Sequence, residues 1–365
     1  MNPVATPRGE HETRVKALRE RLAAEDLAAL IVLDHLSIRY LTGFTGSAGV
    51  VVVLPEEMVL FSDFRYRTQA REQAPQARFI EVEGEVSDPL GTVLAEVDGR
   101  VGVEKDHLTV LQWERFEPKL RAKETLLVGG LVQDLRRIKS VEEIRAISEA
   151  CRLTVAVMDR VREIGVVGRS ERDVALDLEM WARRHGSDVV PFAYIVAWGP
   201  NGAKPHAVAG DAIIGDNGLL VVDIGTTIDG YASDMTRTFA TGEVGSECRR
   251  AFDVTLEAQE AARGFAGPGS RCSEVDRVAR DIIEAHGLGG RFKHGLGHGV
   301  GLDVHEAPTL SHRSEDVLKQ GMVVTIEPGV YLEGACGVRI EDTVVVTDRG
   351  VEVLTPYERG FTIVS

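Results

Sequence analysis

Four acidic residues interrupt apolar segments that otherwise read as β-strands. Asp223 and Asp234 lie on two consecutive segments of this kind, and Glu327 and Glu341 lie on a second pair. An ionised carboxylate buried in a strand costs several kcal/mol unless it is paired or bound to a metal ion. The four acids together therefore predict a site that binds cations.

A turn signal places the first two acids on one face. The dipeptide Asp229-Gly230 is a strong signal for a two-residue hairpin. This turn sets Asp223 opposite Thr236, and Asp234 shares the face of Asp223 because it lies two residues from Thr236. Such diagonal neighbours are within reach of one ion.

The second pair follows the same logic. An odd-length loop centred on Gly334 predicts that Glu327 lies opposite Glu341, and Arg339 shares their face because it lies two residues before Glu341.

His298, in the glycine-rich segment 294–301, is the fifth candidate ligand. Four carboxylates and one imidazole are a hard donor set, which suits two divalent ions such as Mn, Co or Zn better than one structural zinc.

Composition and missing motifs exclude other classes of function. The 365 residues include 42 basic and 57 acidic side chains, for a formal charge of −15, which disfavours binding to nucleic acid or anionic membranes. The chain has no P-loop, GxSxG or HExxH motif. It has no apolar run near the ~20 residues of a membrane span and no apolar signal segment in residues 1–12. Four dispersed cysteines predict reduced thiols, and we expect a cytoplasmic protein.

The elements that must position these residues fall into two halves. Alternating strands and helices predict an α/β N-terminal domain over 1–132, and a capping box formed by Ser140 and Glu143 opens the helical part of a second domain over 133–365. That domain reads as α+β, with helices segregated around an antiparallel sheet. Its predicted helices cover 140–163, 170–186, 247–263 and 273–286, and its predicted strands cover 193–197, 218–224, 231–239, 322–326 and 338–346.

The second half resembles the pita-bread metallopeptidases, which include methionine aminopeptidase, aminopeptidase P and prolidase. The matching segments are VDIG (222–225), GYASDMTRTF (230–239), HGLGHGVG (294–301), VHE (304–306), TIEPGVY (325–331) and GVRIEDT (337–343). The resemblance implies a catalytic domain with a curved antiparallel sheet covered by helices. It implies the metal ligands Asp223, Asp234, His298, Glu327 and Glu341.

The first half resembles the N-terminal creatinase-like domain of the proline-specific branch. The segments YLTGFTGSAG (40–49) and SDFRYRTQA (62–70) look more like a short bacterial aminopeptidase P than a prolidase. Trp198 stands where the family often has a small residue, so we expect it to reshape the substrate pocket. Phe192 and Tyr194 are further candidates for the pocket wall.

The resemblance implies a dinuclear metal-dependent exopeptidase that hydrolyses the Xaa-Pro bond at the N-terminus of peptides, as aminopeptidase P does. The alternative is a Xaa-Pro dipeptidase, or prolidase, which acts on dipeptides. A more remote alternative is a pita-bread protein that binds a partner without catalysis. Mn is the expected metal, with Co or Zn as alternatives, and a homodimer is expected.

Roles for individual residues follow from the same resemblance. Glu327 is expected to be both a ligand and the general base. His206 and His305 are expected to donate hydrogen bonds to the developing oxyanion or to the substrate backbone. The residues expected to contact substrate or to orient the ligands are His294, Arg339 and Tyr331.

Overall fold

The computed structural model describes residues 8–365, and residues 1–7 of the polar N-terminal stretch lie outside this described part. The chain divides into two compact units between Arg136 and Arg137. Each unit has its own apolar core, so each is described by itself below.

The first unit is an α/β domain, as predicted, with a mixed six-stranded sheet in the order β4-β3-β2-β1-β5-β6. Its helices are α1 (Arg8–Ala24), α2 (His35–Thr42), α3 (Arg67–Gln73), α4 (Ser87–Leu94), α5 (Val110–Phe116) and α6 (Leu131–Arg136). Its strands are β1 (Ala29–Val32), β2 (Val50–Val53), β3 (Met58–Ser62), β4 (Arg78–Glu81), β5 (Arg100–Glu104) and β6 (Glu124–Val128). Strands β1, β2 and β3 are fully buried.

Helix α2 is one element of this unit that the sequence pattern does not predict. It has only eight residues, which is too short for a clear helical period. Its ends are nevertheless well formed: the Asp34 carboxylate accepts hydrogen bonds from the backbone N–H groups of Leu36 and Ser37. Gly43 then ends the helix in the left-handed conformation, with a φ of 81°.

The second unit is α+β, as predicted. Its helices are α7 (Val141–Glu163), α8 (Glu171–Arg184), α9 (Ser246–Phe265) and α10 (Cys272–Ala285). Its strands are β7 (Ile195–Trp198), β8 (Leu219–Ile224), β9 (Thr227–Ile228), β10 (Tyr231–Ala232), β11 (Met235–Ala240), β12 (Gly297–Gly299), β13 (Glu306–Leu310), β14 (Val323–Ile326), β15 (Gly329–Leu332), β16 (Cys336–Arg339), β17 (Asp342–Val346) and β18 (Val351–Val353). Across residues 8–365, no helix combines the length and the apolar character that crossing a membrane requires.

The strands of this unit are paired entirely in antiparallel fashion. One sheet has the order β11-β8-β7 and another the order β13-β12-β14-β17-β18, with β9-β10 and β15-β16 as separate hairpins. Helix α7 begins with the predicted capping box, in which the Ser140 hydroxyl and the Glu143 carboxylate each accept from the other residue's backbone N–H.

Helices cover one face of each sheet. Helices α9 and α10 pack on the five-stranded sheet, as in the cluster that joins Phe252 and Ile283 to Val324. Helices α7 and α8 pack on the three-stranded sheet, where Leu178 lies in one cluster with Val222. Side chains alternate between the two faces of a strand, so the residues next to these apolar ones point to the opposite face. On β8, for example, Val222 packs against the helices and the adjacent Asp223 faces the other way.

The structure corrects the prediction that all four cysteines are reduced. Cys248 at the start of α9 and Cys336 at the start of β16 form a disulfide across 88 residues of chain. Their Cα atoms lie 6.2 Å apart, a separation that a disulfide can span and that sequence spacing does not reveal. Cys151 and Cys272 are free and buried.

Candidate metal centre

The hairpin that carries Asp223 and Asp234 has the predicted register. Asp229 and Gly230 form its turn with φ values of 49° and 74°, the pair of positive angles that a tight hairpin turn requires. Strands β8 and β11 then pair Asp223 with Thr236. The predicted strand 231–239 is divided into β10 and β11, and the break falls at Asp234.

The second pair of acids also lies in the predicted register. Strands β14 and β17 pair Ile326 with Asp342, and the hairpin β15–β16 pairs Gly329 with Arg339 around Gly334. Both pairings have the same offset, so Glu327 lies opposite Glu341 in the gap between them. The backbone leaves regular strand geometry at both acids, as it does at Asp234.

Two glycines allow the short strand that carries His298 to pack closely between its neighbours. Strand β12 is only three residues long and pairs with β13 on one side and β14 on the other. A Cβ atom at Gly297 would collide with the carbonyl oxygen of Thr325, and one at Gly299 would collide with that of Ala307. The side-chain-free residues on either side of His298 are therefore required by the spacing of three neighbouring strands.

These elements bring the five predicted ligands together. Three overlapping groups have donor atoms within 4.8 Å of one another: Asp223, Asp234 and Glu341; His298, Glu327 and Glu341; and Asp234, His298 and His305. His305 is thus a sixth member of the cluster, and its ring centroid lies 4.3 Å from that of His298.

The donor set fits divalent cations, because two buried carboxylates each leave one oxygen unused. Asp223 Oδ2 accepts from Arg339 Nη2 at 2.6 Å, and Glu341 Oε2 accepts from Thr236 Oγ1 at 2.7 Å. The other oxygens, Asp223 Oδ1 and Glu341 Oε1, are buried without a hydrogen-bond partner. An orphaned buried carboxylate oxygen is costly, and coordination to a cation would satisfy it.

The close packing of buried acids shifts the pKa values of Asp234 and Glu341. Burial raises the pKa of Asp234 well above its ordinary value, and the Glu341 and Asp223 carboxylates raise it further. Burial also raises the pKa of Glu341, with added repulsion from Glu327 and Asp223. A bound cation would reverse this balance by favouring the ionised forms.

Glu327 and His298 form an ion pair within this cluster. His298 Nε2 lies 3.2 Å from Glu327 Oε1. Although burial opposes ionisation of both groups, their mutual hydrogen bond and charge hold the pKa of Glu327 at about 2 and raise that of His298 to about 9. The Nδ1–H of His298 donates to the Gly299 carbonyl, so Nε2 is the atom that a cation would bind.

Arg339 connects the predicted ligand Asp223 to two other predicted site residues, Tyr331 and His294. In addition to its bond to Asp223, it donates through Nη1 to the Tyr331 hydroxyl at 2.9 Å. The Tyr331 hydroxyl lies 3.0 Å from His294 Nε2, while His294 Nδ1 donates to the Gly295 carbonyl. The neutral His294 tautomer therefore accepts from Tyr331, in agreement with burial lowering the pKa of His294.

A cavity of about 430 Å³ opens onto the cluster. The predicted pocket histidines His206, His294 and His305 all line it, and Phe192 and Ile195 supply apolar wall. Its volume lies within the range of small-molecule sites.

Two of the residues predicted for the pocket wall lie elsewhere. The indole of Trp198 packs against Gly218 and donates from Nε1 to Thr241 Oγ1 at 3.0 Å. Strand alternation explains this, because Ile195 faces the cavity and Trp198, three residues later, faces the opposite side. Tyr194 is likewise in the core, with its hydroxyl bonded to the Gly225 carbonyl. The prediction that Trp198 and Tyr194 belong to the pocket wall is therefore wrong, whereas Phe192 does line the cavity.

Two threonines to which the sequence analysis gave no role form hydrogen bonds with predicted ligands. Thr236 donates to Glu341 and accepts from Arg339 Nε at 3.1 Å. Thr325 donates to Glu327 Oε1 at 3.2 Å and accepts from the backbone N–H of His298. Both threonines lie two residues from a predicted ligand, so the strand period would have identified them as residues on the same face.

We expect the metal-free protein to lose stability as the pH rises from 6 to 9. Asp234, Glu341 and His298 all have raised folded-state pKa values, so the folded state binds more protons than the unfolded chain and the free energy of unfolding falls with rising pH. The lowered pKa of Glu327 acts only between about 4.5 and about 2, below this window.

Thermal unfolding of chelator-treated protein measures this effect, with an expected fall in Tm of about 5–10 °C. Protein saturated with Mn²⁺ is the control and should show a smaller slope, because bound ions hold the ligands deprotonated. A metal-free Tm that is constant or rising across the window would contradict the prediction.

Comparisons with known proteins identify the family of each part of the chain. Residues 145–348 match metallopeptidase family M24, and residues 14–138 match the creatinase/prolidase N-terminal domain. A Xaa-Pro dipeptidase of Pyrococcus furiosus is 35% identical over 95% of this chain and 98% of its own length.

Two solved structures are similar over nearly the whole chain. A Xaa-Pro dipeptidase from Bacillus anthracis superposes with a TM-score of 0.93 and 35% identity, covering 97% of this chain and 99% of that one. An X-Pro aminopeptidase from Thermotoga maritima superposes with a TM-score of 0.87 and 31% identity, covering 95% and 99%. The chain therefore belongs to metallopeptidase family M24 and has the two-domain pita-bread fold that its motifs predicted.

Proposed function

We propose that this metallopeptidase is a dinuclear metal-dependent Xaa-Pro dipeptidase. The observation that carries the proposal is the convergence of five hard ligands on one cavity, in a chain whose relatives include Xaa-Pro dipeptidases matched over almost their full length. These relatives support the dipeptidase alternative better than the aminopeptidase P function that the N-terminal motifs favoured.

The residues proposed to hold the two ions are Asp223, Asp234, His298, Glu327 and Glu341. Two bound divalent ions would supply Lewis acidity and a water nucleophile at neutral pH. Mn is our proposed metal because the set contains four carboxylates and one imidazole, although ligand type also allows Co or Zn.

The chain's own residues would handle the protons of the reaction. The pKa of Glu327 is about 2 in the metal-free cluster, and bound cations would also favour its ionised form, so Glu327 could accept a proton from water and return it to the leaving proline nitrogen. His305 lies beside His298 at the mouth of the cluster, and burial lowers the pKa of His305, so its neutral ring can donate one hydrogen bond to the developing oxyanion. His206 lines the same cavity and is the second proposed donor.

The cavity wall is suited to proline. A bond before proline is a tertiary amide without an N–H group, so recognition of the ring depends on shape and apolar contact. Phe192, Ile195 and Ala207 supply such contact beside the ligands.

The second candidate function is aminopeptidase P activity on longer peptides. It is favoured by the likeness to the X-Pro aminopeptidase of Thermotoga maritima and by the motifs at 40–49 and 62–70. A non-catalytic role is disfavoured because all five ligand positions hold metal-binding side chains. The homodimer and the cytoplasmic location stay predictions from the sequence.

Turnover of Ala-Pro and Ala-Pro-Ala, measured with Mn²⁺, Co²⁺ and Zn²⁺ each supplied, tests the proposal. A dipeptidase should show the higher kcat/KM for Ala-Pro. Equal or better turnover of Ala-Pro-Ala would instead establish the second candidate. Absence of turnover with every metal would contradict both.

A further inference from the structure

A buried ion pair on helix α10 lies outside the metal cluster. Asp276 and Arg280 are one helical turn apart, and the Asp276 side chain is fully buried. Arg280 Nε donates to Asp276 Oδ2 at 2.9 Å, and Arg280 Nη2 donates to Asp276 Oδ1 at 2.8 Å. Because apolar side chains can often replace a buried ion pair without loss of stability, this pair calls for an explanation other than stability.

The ion pair holds one segment of the chain by its backbone. This segment runs from Phe292 to Leu296, and we call it the His294 segment. Arg280 donates from Nη1 to the Phe292 carbonyl at 2.9 Å and from Nη2 to the His294 carbonyl at 3.0 Å. The Asp276 carboxylate accepts from the backbone N–H of Leu296 at 3.1 Å. Every second residue of the segment is therefore bonded to the same pair, and a planar guanidinium suits this task because its donors point in fixed directions.

The far side of the His294 segment supports Glu327. The backbone N–H of Glu327 donates to the Leu296 carbonyl at 2.8 Å. Leu296 thus links Asp276, through its N–H, to the proposed general base, through its carbonyl. Glu327 lies between β14 and β15, outside regular strand geometry, so this hydrogen bond takes the place that a ladder bond would have.

The same segment carries the His294 ring. This ring packs edge-on against the ring of Phe292, with centroids 5.0 Å apart, and the guanidinium carbon of Arg280 lies 4.2 Å from the centroid of the Phe292 ring. The His294 ring then accepts from the Tyr331 hydroxyl at the cavity wall. Contacts that begin at one ion pair therefore reach both Glu327 and His294.

We infer that Asp276 and Arg280 are positioning residues for the hydrolytic reaction, and that they act by holding the Glu327 backbone and the His294 ring in place. Neither Asp276 nor Arg280 lines the metal cavity, so their effect on turnover passes through the His294 segment. The inference deepens the proposed function and rests on the Xaa-Pro activity wherever turnover is the readout.

The variant Arg280→Lys tests the inference with little disturbance. Lysine keeps a positive charge beside Asp276, but its single nitrogen cannot bond the carboxylate and two backbone carbonyls in the geometry of the guanidinium fork. We expect kcat to fall about tenfold or more, because small misplacements of reacting groups are costly. KM should change by less than about threefold, since the loss concerns the reacting groups rather than substrate binding. Both are measured well below the Tm, on Mn-loaded protein, with the Xaa-Pro peptide that wild type cleaves best.

The matched control is Arg249→Lys on α9. Arg249 pairs with Asp253 at 3.0 Å, also one helical turn away, and its guanidinium carbon also lies 4.2 Å from an aromatic centroid, that of Phe361. These partners are not part of the His294 segment, so the control should keep the wild-type kcat. A merely structural role of Arg280 would lower the Tm of its variant and leave the kcat of the folded, Mn-loaded protein unchanged.

Amide hydrogen exchange of the metal-free proteins gives a readout that does not depend on activity. In Arg280→Lys, the amide protons of Leu296 and Glu327 should exchange about tenfold faster or more than in wild type, because the ion pair holds the first directly and the second through Leu296. In Arg249→Lys both amides should exchange at the wild-type rate.

The outcomes separate this inference from the proposed function. A wild-type kcat in Arg280→Lys, a loss confined to KM, or a lower kcat with wild-type exchange at Glu327 would each overturn the inference alone. If wild type cleaves no Xaa-Pro peptide, the proposed function fails, and exchange at Glu327 then decides the inference by itself. If Arg280→Lys does not fold, the double variant Asp276→Asn and Arg280→Gln, which removes both charges, takes its place. Failure of both variants to fold would show that the pair serves the fold and would overturn the inference.

Discussion

Replacing Glu327 with Gln should reduce kcat by about 10³-fold or more while the protein remains folded. A positioned general base contributes about 10²–10⁴-fold, and here the same side chain is also a proposed ligand. The amide cannot accept a proton from water at neutral pH. The cavity shape is preserved because Gln is nearly isosteric with Glu.

Stability provides a second readout for this variant. Glu327 forms an ion pair with His298 at 3.2 Å, so the metal-free Glu327→Gln protein should unfold at a lower temperature than metal-free wild type. Circular dichroism and thermal melts check the fold, and turnover of Ala-Pro with Mn²⁺ checks the activity. The exposed Glu352→Gln variant is the matched control and should behave as wild type. Activity near the wild-type rate in Glu327→Gln would refute its role as base.

Replacing Asp234 with Asn should have a similar effect on activity and the opposite effect on metal-free stability. Asp234 belongs to two of the three overlapping donor groups, so its loss removes a donor from both of those groups. We expect metal affinity to fall by at least about 100-fold, since even partners of ligands contribute 10–100-fold. Activity should fall with it, by about 10³-fold at limiting Mn²⁺.

Metal-free Asp234→Asn protein should nevertheless be as stable as wild type or more stable, with a Tm up to about 5 °C higher. The reason is that burial and the neighbouring Glu341 and Asp223 carboxylates raise the pKa of Asp234, so a neutral amide relieves repulsion. Thermal melts after chelation, with Asp348→Asn as an exposed control, measure this. A large loss of metal-free stability would show that Asp234 is a structural rather than a cation-binding residue.

The opposite signs of these two stability effects are informative together. A site built for stability would be weakened by either substitution. In a site that binds cations, a substitution should lower metal-free stability where the acid forms a close ion pair, as at Glu327, and raise it where burial and repulsion from other acids outweigh attraction, as at Asp234.

The sequence was sufficient to predict the register of both acid-bearing hairpins. In each case a turn residue with positive φ, Gly230 or Gly334, marks the centre of the loop. Because side chains alternate strictly along a strand, the loop centre determines which residues face each other for the whole length of the pairing. The residues at two turns were therefore sufficient to predict that the acids of each hairpin lie on a common face, without any knowledge of long-range contacts.

Features that depend on contacts between distant segments could not be predicted from the sequence in this way. The disulfide joins Cys248 in α9 to Cys336 in β16 across 88 residues of chain. Nothing in the spacing of these residues signals their proximity, because it arises from how helices and loops pack around the sheets.

Trp198 illustrates the boundary between the two kinds of information. Its position in the chain marked it as a pocket residue, yet the strand phase turns its ring away from the cavity and onto Gly218. Periodicity along one strand and turn chemistry are encoded locally, so the common faces of the four proposed carboxylate ligands could be predicted from the sequence. Which surfaces meet across the fold depends on packing and burial summed over many distant contacts, and these contacts determined the disulfide and the residues of the pocket wall.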